Sequence, residues 1–290
     1  MKFLCKGIII LTVLFPSASF CDHSYFEIVK NNLIKEGFNK EYINRIYSSN
    51  NITYEFNSVT LFFTVSEYKL DYDKFLGKEY VVNGIKYINR YKKTFDYFEE
   101  QFSVPPEIIT AILTIETRLG SYTGNRPVLS SLSSVAALKN DYVKKMVKKS
   151  VPSGKNRYSG KKFNDRADKR AKWAYSELKK FIAYCIENDI EPVQITGSYA
   201  GAVGIPQFMP SNISAYGEDG NFDGKKDLHN HNDAIASVAK YLKKHGWKKN
   251  ISDGNALSVI LKYNKSMPYA QTVLKLSSLL KIKENGYNGN

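Results

Sequence analysis

The stretch Val104-Pro-Pro-Glu-Ile-Ile-Thr-Ala-Ile-Leu-Thr-Ile-Glu-Thr-Arg-Leu-Gly120 decides the fold. It reads as one buried helix. Pro105 and Pro106 suit an opening turn, where a missing N–H loses no partner. Glu107 suits the positive end of the helix dipole. Gly120 suits the stop, where a left-handed residue costs Gly little. At about 100° per residue, Ile108, Ile109, Ile112, Leu113 and Leu119 fall within about 80° of Glu116. Glu107, Thr110, Thr114, Thr117 and Arg118 gather on the other side. Glu116 therefore stands in the middle of the apolar face. A carboxyl there loses hydration, which favours its protonated form and suits a general acid near neutral pH. From the helix alone a second reading stays open, a core Glu paired with an Arg or Lys from elsewhere.

Upstream, residues 1–19 read as a signal peptide. Lys2 and Lys6 precede an apolar run from Gly7 to Phe15, and Ser17, Ala18 and Ser19 supply the small residues for cleavage. The expected location is outside the inner membrane, in a periplasm. Two alternatives stay open, an uncleaved anchor and lipid attachment to an outer membrane through Cys21. Phe20 argues against the second, because a small residue is wanted before a lipidated Cys. The remaining chain of roughly 270 residues has room for one large or two small domains. Cys5 leaves with the signal, and Cys21 with Cys185 makes no disulfide framework. Cys185 lies in an apolar helical pattern with Phe181, Ile182 and Ile186 and reads as a buried thiol.

The formal net charge is +14, from 42 Lys and Arg against 28 Asp and Glu. For an exported chain this favours an anionic partner such as wall polymer or a membrane surface. No nucleic-acid-binding motif is present, so nucleic acid is not an expected partner. Apolar spacing predicts helices in residues 22–60, over 84–102, over 128–138, from about 168 to 188, over 233–246 and over 256–264. Residues 139–170, dense in Lys and Arg with Pro152, Gly154 and Gly160, show no clear period and read as an exposed basic insertion that is part-helical at its ends. The tail 281–290 is polar and reads as frayed. The chain holds 21 tyrosines; most tyrosine stripes are core, although sugar rings also pack well on flat faces with a polar tip.

Two further stretches carry chemistry. Gly197-Ser-Tyr-Ala-Gly-Ala-Val-Gly-Ile-Pro-Gln-Phe-Met-Pro210 is a glycine-rich turn where backbone can approach another group closely. Asp219-Gly-Asn-Phe-Asp-Gly224 matches the first half of a calcium loop, with oxygen ligands at positions 1, 3 and 5 and Gly at 6. Lys225 would offer its backbone carbonyl. Asn230 stands where a bidentate Glu is expected, and Asp233, three residues on, can supply the missing carboxylate. An empty Asp/Gly turn remains the alternative. His229 and His231 raise a transition-metal option but have no partner cluster.

Taken in order, the Pro105-Pro106 opening, Ile115-Glu116-Thr117-Arg118, the 197–210 turn, the Asp219 loop, Asp233 to Tyr241 and His245-Gly-Trp247 resemble the membrane-bound lytic transglycosylase B family of peptidoglycan-cleaving enzymes. The resemblance runs from about residue 84 to 275. It implies a mainly α fold, a lysozyme-like helical core over 84–280 with an N-terminal helical extension over 20–83 and an EF-hand-like calcium loop. It implies a monomer that acts on peptidoglycan glycan strands, cleaving the β-1,4 bond between N-acetylmuramic acid and N-acetylglucosamine, with no organic cofactor. By motif position Glu116 is the catalytic acid/base and Ser198 the serine beside it. Gln207, Tyr241, Tyr263, Asn264 and Tyr269 match cleft residues that hold glycan, with Tyr91 and Tyr72 on the other wall. Asp219, Asn221, Asp223, Lys225 (carbonyl) and Asp233 match a structural calcium site. Leu119 departs from a usual Trp, and the region after Leu138 lacks the family's basic pair and carries the insertion instead.

The implied chemistry needs one carboxylate. Ordinary glycosidases place two of them roughly 5–5.5 or 6.5–9.5 Å apart, and no second acid stands out in a cleft motif here. Protonated Glu116 would give its proton to the leaving oxygen and then take one from the muramyl C6 hydroxyl, which closes a 1,6-anhydro ring. A hydrolysing muramidase and a non-catalytic basic wall-binding protein are the alternatives.

Overall fold

The computed structural model describes residues 23–64, 71–151 and 161–287. The proposed signal peptide, Cys21 and the centre of the basic insertion lie outside them. The described residues form α1 (Glu27–Lys35), α2 (Lys40–Tyr47), α3 (Phe56–Thr64), α4 (Lys78–Arg90), α5 (Lys92–Phe102), α6 (Pro106–Thr117), β1 (Arg126–Pro127), α7 (Val128–Ala136), α8 (Asp141–Ser150), α9 (Lys161–Glu187), β2 (Thr196–Gly197), α10 (Pro210–Tyr216), α11 (His231–Lys244), α12 (Asp253–Tyr263) and α13 (Met267–Tyr287). Short 3-10 turns fill several of the joins. The chain is mainly α, as its periodicity implies. None of the described helices is long and apolar enough to cross a membrane.

The quoted stretch forms α6, and it is the centre of the molecule. It packs against α13, α4, α11 and α5. Its buried side chains include Ile108, Ile109, Ile112, Leu113 and Ile115, and also Thr110, Thr114 and Thr117. The expected polar side is therefore buried too. Two of the threonines tolerate this by bonding within the protein: Thr114 donates to the Thr110 carbonyl at 2.7 Å and Thr117 to the Ile205 carbonyl at 2.8 Å, whereas the buried Thr110 hydroxyl has no partner among the described residues. Thr110 turns its methyl to Gly84, where α4 crosses. A Cβ on Gly84 would come within 2.6 Å of Leu280 of α13 and 3.4 Å of Thr110.

α6 stops earlier than Gly120. Arg118 and Leu119 have positive φ (52° and 57°), followed by Gly120 at 85°. The Thr117 hydroxyl accepts from the Gly120 N–H at 3.0 Å, and the Thr117 carbonyl accepts from Tyr122. These bonds hold three left-handed residues in a row. The single helix expected over 84–102 is two, broken at Tyr91, whose ring stacks on His231 (4.9 Å, 24°) and leans on Tyr87. The basic region is helical at both of its described ends, as its sequence allowed. Its first part is α8, amphipathic with Val143 and Val147 buried. Its last part begins α9 at Lys161 rather than near Asp168. α13 runs on to Tyr287, past the start of the expected tail.

The helices before α4 join the same apolar core as α6 and α13. They are also tied to α7 by its serines. Ser130 accepts from the Thr53 N–H (3.2 Å), Ser134 from the Glu55 N–H (2.8 Å), and Ser133 shares a 2.7 Å hydrogen bond with the Tyr47 hydroxyl. Cys185 is fully buried, and burial pushes its thiol up to about 12.

Candidate active site

Glu116 occupies the last turn of α6 and reaches the floor of a cleft of about 430 Å³. The same cleft is lined by Ser198 and Gln207 from the glycine-rich turn, Tyr199 beside them, and Asn125 and Arg126 from β1 and its approach. β1 pairs antiparallel with β2, setting Arg126 opposite Gly197. That two-residue ladder holds the cleft's two loops together.

The turn is built for close approach. Gly204 has φ +70°, and a Cβ there would collide with the Leu228 backbone, which bonds Ile205 at 2.8 Å. Gln207 also lies at positive φ, 50°. Its Nε2 donates to the carbonyls of Thr123 and Gly204, both at 2.9 Å, which leaves Oε1 as an acceptor for the cleft. Ser198 Oγ accepts from the N–H groups of Ala202 (3.0 Å) and Ala200 (3.3 Å), which leaves its O–H free to donate. It makes no hydrogen bond to Glu116.

The partner of Glu116 is Tyr269, whose hydroxyl donates to Oε1 at 2.6 Å. No Lys or Arg among the described residues forms an ion pair with Glu116. Burial pushes its carboxyl up to about 7, against the smaller downward pull of the Tyr269 bond. Burial, and next the Glu116 charge, hold the phenols of Tyr263 and Tyr269 well above their usual value. Both therefore stay protonated donors. Among the described residues lining the cleft, Glu116 is the one acidic side chain.

The other expected glycan residues separate into two groups. Tyr72 sits edge-on to Tyr269 at 5.6 Å, Tyr263 donates to the Pro206 carbonyl at 2.6 Å, and Tyr241 backs Tyr263 at 5.0 Å. Tyr241 itself is buried, and its hydroxyl is spent on the Lys262 carbonyl at 2.7 Å, so it supports the wall rather than facing the cleft. Asn264 caps the C-terminal end of α12. Tyr91 stands apart, in the stack with His231 and Tyr87. The Tyr87 hydroxyl and His231 Nδ1 lie 3.0 Å apart, so that histidine is satisfied by a phenol rather than offered to a metal.

Sequence reasoning missed Arg126, Asn125 and Tyr199 as cleft residues. Pairing of two-residue strands leaves no periodic signal that could have found them. It named Tyr269 but not its bond to Glu116, which joins groups far apart in the chain.

The Asp219 loop folds on itself. Asp219 accepts from the N–H groups of Asp223 (3.2 Å) and Gly224 (2.7 Å), and Asp223 from Lys225 (2.8 Å). Asp233, 1% exposed, accepts from Gly220 (2.9 Å) and Asp227 (2.7 Å). Burial, and to a lesser degree the neighbouring Asp219 charge, push Asp233 up to about 6. No cluster of three or more His, Cys, Asp or Glu able to hold a metal stands among the described residues. The donor set does fit a hard cation: carboxylate and amide oxygens, a backbone carbonyl at Lys225, and a buried carboxylate crowded by another.

A family model described as the transglycosylase SLT domain matches residues 22–258. The chain belongs to this family. It is 32% identical over 176 residues to the membrane-bound lytic murein transglycosylase B of Escherichia coli (strain K12), an alignment over 61% of this chain. The matched part spans 41% of that relative's length. Among solved structures, the soluble lytic transglycosylase SltB1 from Pseudomonas aeruginosa superposes with a TM-score of 0.72 at 23% identity, over 90% of this chain and 99% of that one. The Escherichia coli lytic transglycosylase Slt35 in complex with calcium superposes with a TM-score of 0.72 at 21% identity, over 92% and 95%. These likenesses establish that the SLT-domain chain has the fold of lytic transglycosylases.

Proposed function

We propose that the chain is a peptidoglycan lytic transglycosylase that cleaves the bond between N-acetylmuramic acid and N-acetylglucosamine and leaves 1,6-anhydromuramyl ends. The observation that carries this is a single desolvated carboxyl in a cleft with no second acid among the described residues. With a pKa near 7, Glu116 is available in both protonation states near neutral pH. Tyr269 holds Oε1, so the proton to be given rides on Oε2. Protonated Glu116 gives it to the leaving glycosidic oxygen, and the C1–O bond breaks. The ionised carboxylate then removes the C6 hydroxyl proton as that oxygen bonds C1. The ring closes, no water is consumed, and Glu116 regains its acid form. The Ser198 O–H and Gln207 Oε1 supply a donor and an acceptor for the N-acetyl group beside it. Membership of the SLT family and the names of its relatives support the reading.

Calcium is proposed for the Asp219 loop, held by Asp219, Asn221, Asp223, the Lys225 carbonyl and Asp233. Bound there, it would neutralise crowded carboxylates and stiffen the loop. Export to the periplasm is proposed from the leader sequence, with attachment through Cys21 as the alternative.

The test is mass spectrometry of digested sacculi, wild type beside Glu116→Gln. Products lacking one water at the muramyl end are expected from wild type, with turnover lost in the variant. Products carrying a full reducing end would replace the proposal with hydrolysis.

A further inference from the structure

Arg126 has no part in the chemistry above, yet it is the one basic side chain among the described residues lining the Glu116 cleft. It is placed there by backbone pairing. Its register partner is Gly197, next to Ser198. It is also held by a partly buried anchor. Nη1 donates to Glu55 Oε2 at 3.3 Å, and Glu55 is only 13% exposed against 42% for Arg126. The Glu55 carboxylate is fixed in turn by the Thr53 hydroxyl (3.2 Å) and the Ser58 hydroxyl (3.4 Å). One N–H of the guanidinium is thus used, and the others have no acceptor among the described residues. An arginine half-exposed on a cleft wall, with its fork steered by a partly buried carboxylate, is prepared to take a second carboxylate from solution.

The geometry points to Arg126 as the group that binds a carboxylate carried on the glycan strand. This rests on the function proposed above. Muramic acid offers that chemistry in two forms. Its lactyl group is a free carboxylate on peptide-stripped strands. On peptide-bearing strands the lactyl group is an amide, and the stem peptide brings carboxylates of its own. Arg126 touches substrate away from the bond that breaks, so it acts in binding and in the choice of strand. Tyr199 and Asn125 line the same cleft.

The experiment measures steady-state rates and, in parallel, calorimetric binding of three soluble strands: peptide-bearing, peptide-stripped, and peptide-bearing with all carboxyls amidated. Wild type is compared with Arg126→Gln, Arg126→Lys, and the double variant Glu55→Gln with Arg126→Gln, which removes the anchor's charge together with its partner. Losing one charge-assisted contact at a half-exposed site should raise KM and Kd roughly ten-fold at unchanged kcat. The loss is expected in Arg126→Gln and in the double variant, with partial rescue by Lys, and amidated strands should bind equally to all variants. Loss on peptide-bearing strands alone assigns the carboxylate to the stem peptide, and loss on stripped strands assigns it to the lactyl group. Equal binding of all three strands by wild type and variants, or an equal loss on amidated strands, would overturn the assignment. A wild type that binds strands without cutting them would instead sink the proposed reaction, and the Kd differences would still decide the role of Arg126.

Discussion

At the scale of single residues, Glu116 carries two measurable signatures. Its carboxyl titrates near 4.5 when unfolded and near 7 when folded. Between those values the folded chain keeps a proton that the unfolded chain releases, so stability falls as pH rises through that window and the penalty is complete above about 7. Glu116→Gln should therefore be more stable than wild type at pH 8, by on the order of 3 kcal/mol. That gain should vanish below about pH 4.5, in denaturant titrations at the two pH values. Equal stability at both would mean that the carboxyl keeps its water. The activity limb follows the same group, with kcat/KM declining as pH rises through about 7. Tyr269→Phe removes the bond that lowers the pKa. Its pH–rate limb should move to higher pH while kcat drops roughly ten-fold, since Oε1 loses its orienting donor. The misplaced carboxylate was legible in the sequence because helical periodicity is local. Tyr269 as its partner was not, because nothing local relates two side chains brought together by α13 closing on α6.

At the scale of elements, α6 shows what periodicity can and cannot say. It located the helix and its apolar side, but it read the threonines as the solvent side. A threonine can be buried at little expense when its hydroxyl bonds a carbonyl of its own helix or of the next loop, so its polarity is a weak guide to exposure. The stop was misplaced for a related reason: Thr117 supplies the capping oxygen, and Arg118 and Leu119 accept left-handed backbone that Gly120 alone was expected to take. Two substitutions test the packing around this element. Gly84→Val should lower stability by about 1–3 kcal/mol, because α4, α6 and α13 meet at that position without room for a branched side chain. Gly204→Ala should be at least as damaging, since both its φ and the Leu228 backbone oppose a Cβ. Circular dichroism melts of the two variants at pH 6 check both. A Gly204→Ala protein with wild-type stability would show that the turn can move.

At the scale of the molecule, calcium should act on the whole fold. Saturating calcium is expected to raise the melting temperature by roughly 5 °C, and Asp219→Ala should abolish the response. An identical melt with and without chelator would remove the site. The helical class and the order of elements were legible in the sequence, because most helices carry their own spacing. α8 was legible only as a helical end of the basic insertion, because Val143 and Val147 mark a narrow buried stripe in an otherwise charged run. The cleft itself was legible only in part, as motifs in the right order. Its far wall depends on Arg126 pairing across two residues, which no spacing announces. The serine bridges from α7 have a consequence for how the protein comes apart. Tyr47, Thr53 and Glu55 are fastened to the same helix whose far side supports the cleft, so α1–α3 and α6 should melt in one calorimetric transition. A truncated chain beginning at α4 would bare Ser130, Ser133 and Ser134 along with the apolar surface between them. Limited proteolysis should accordingly yield no stably folded fragment that lacks α1–α3.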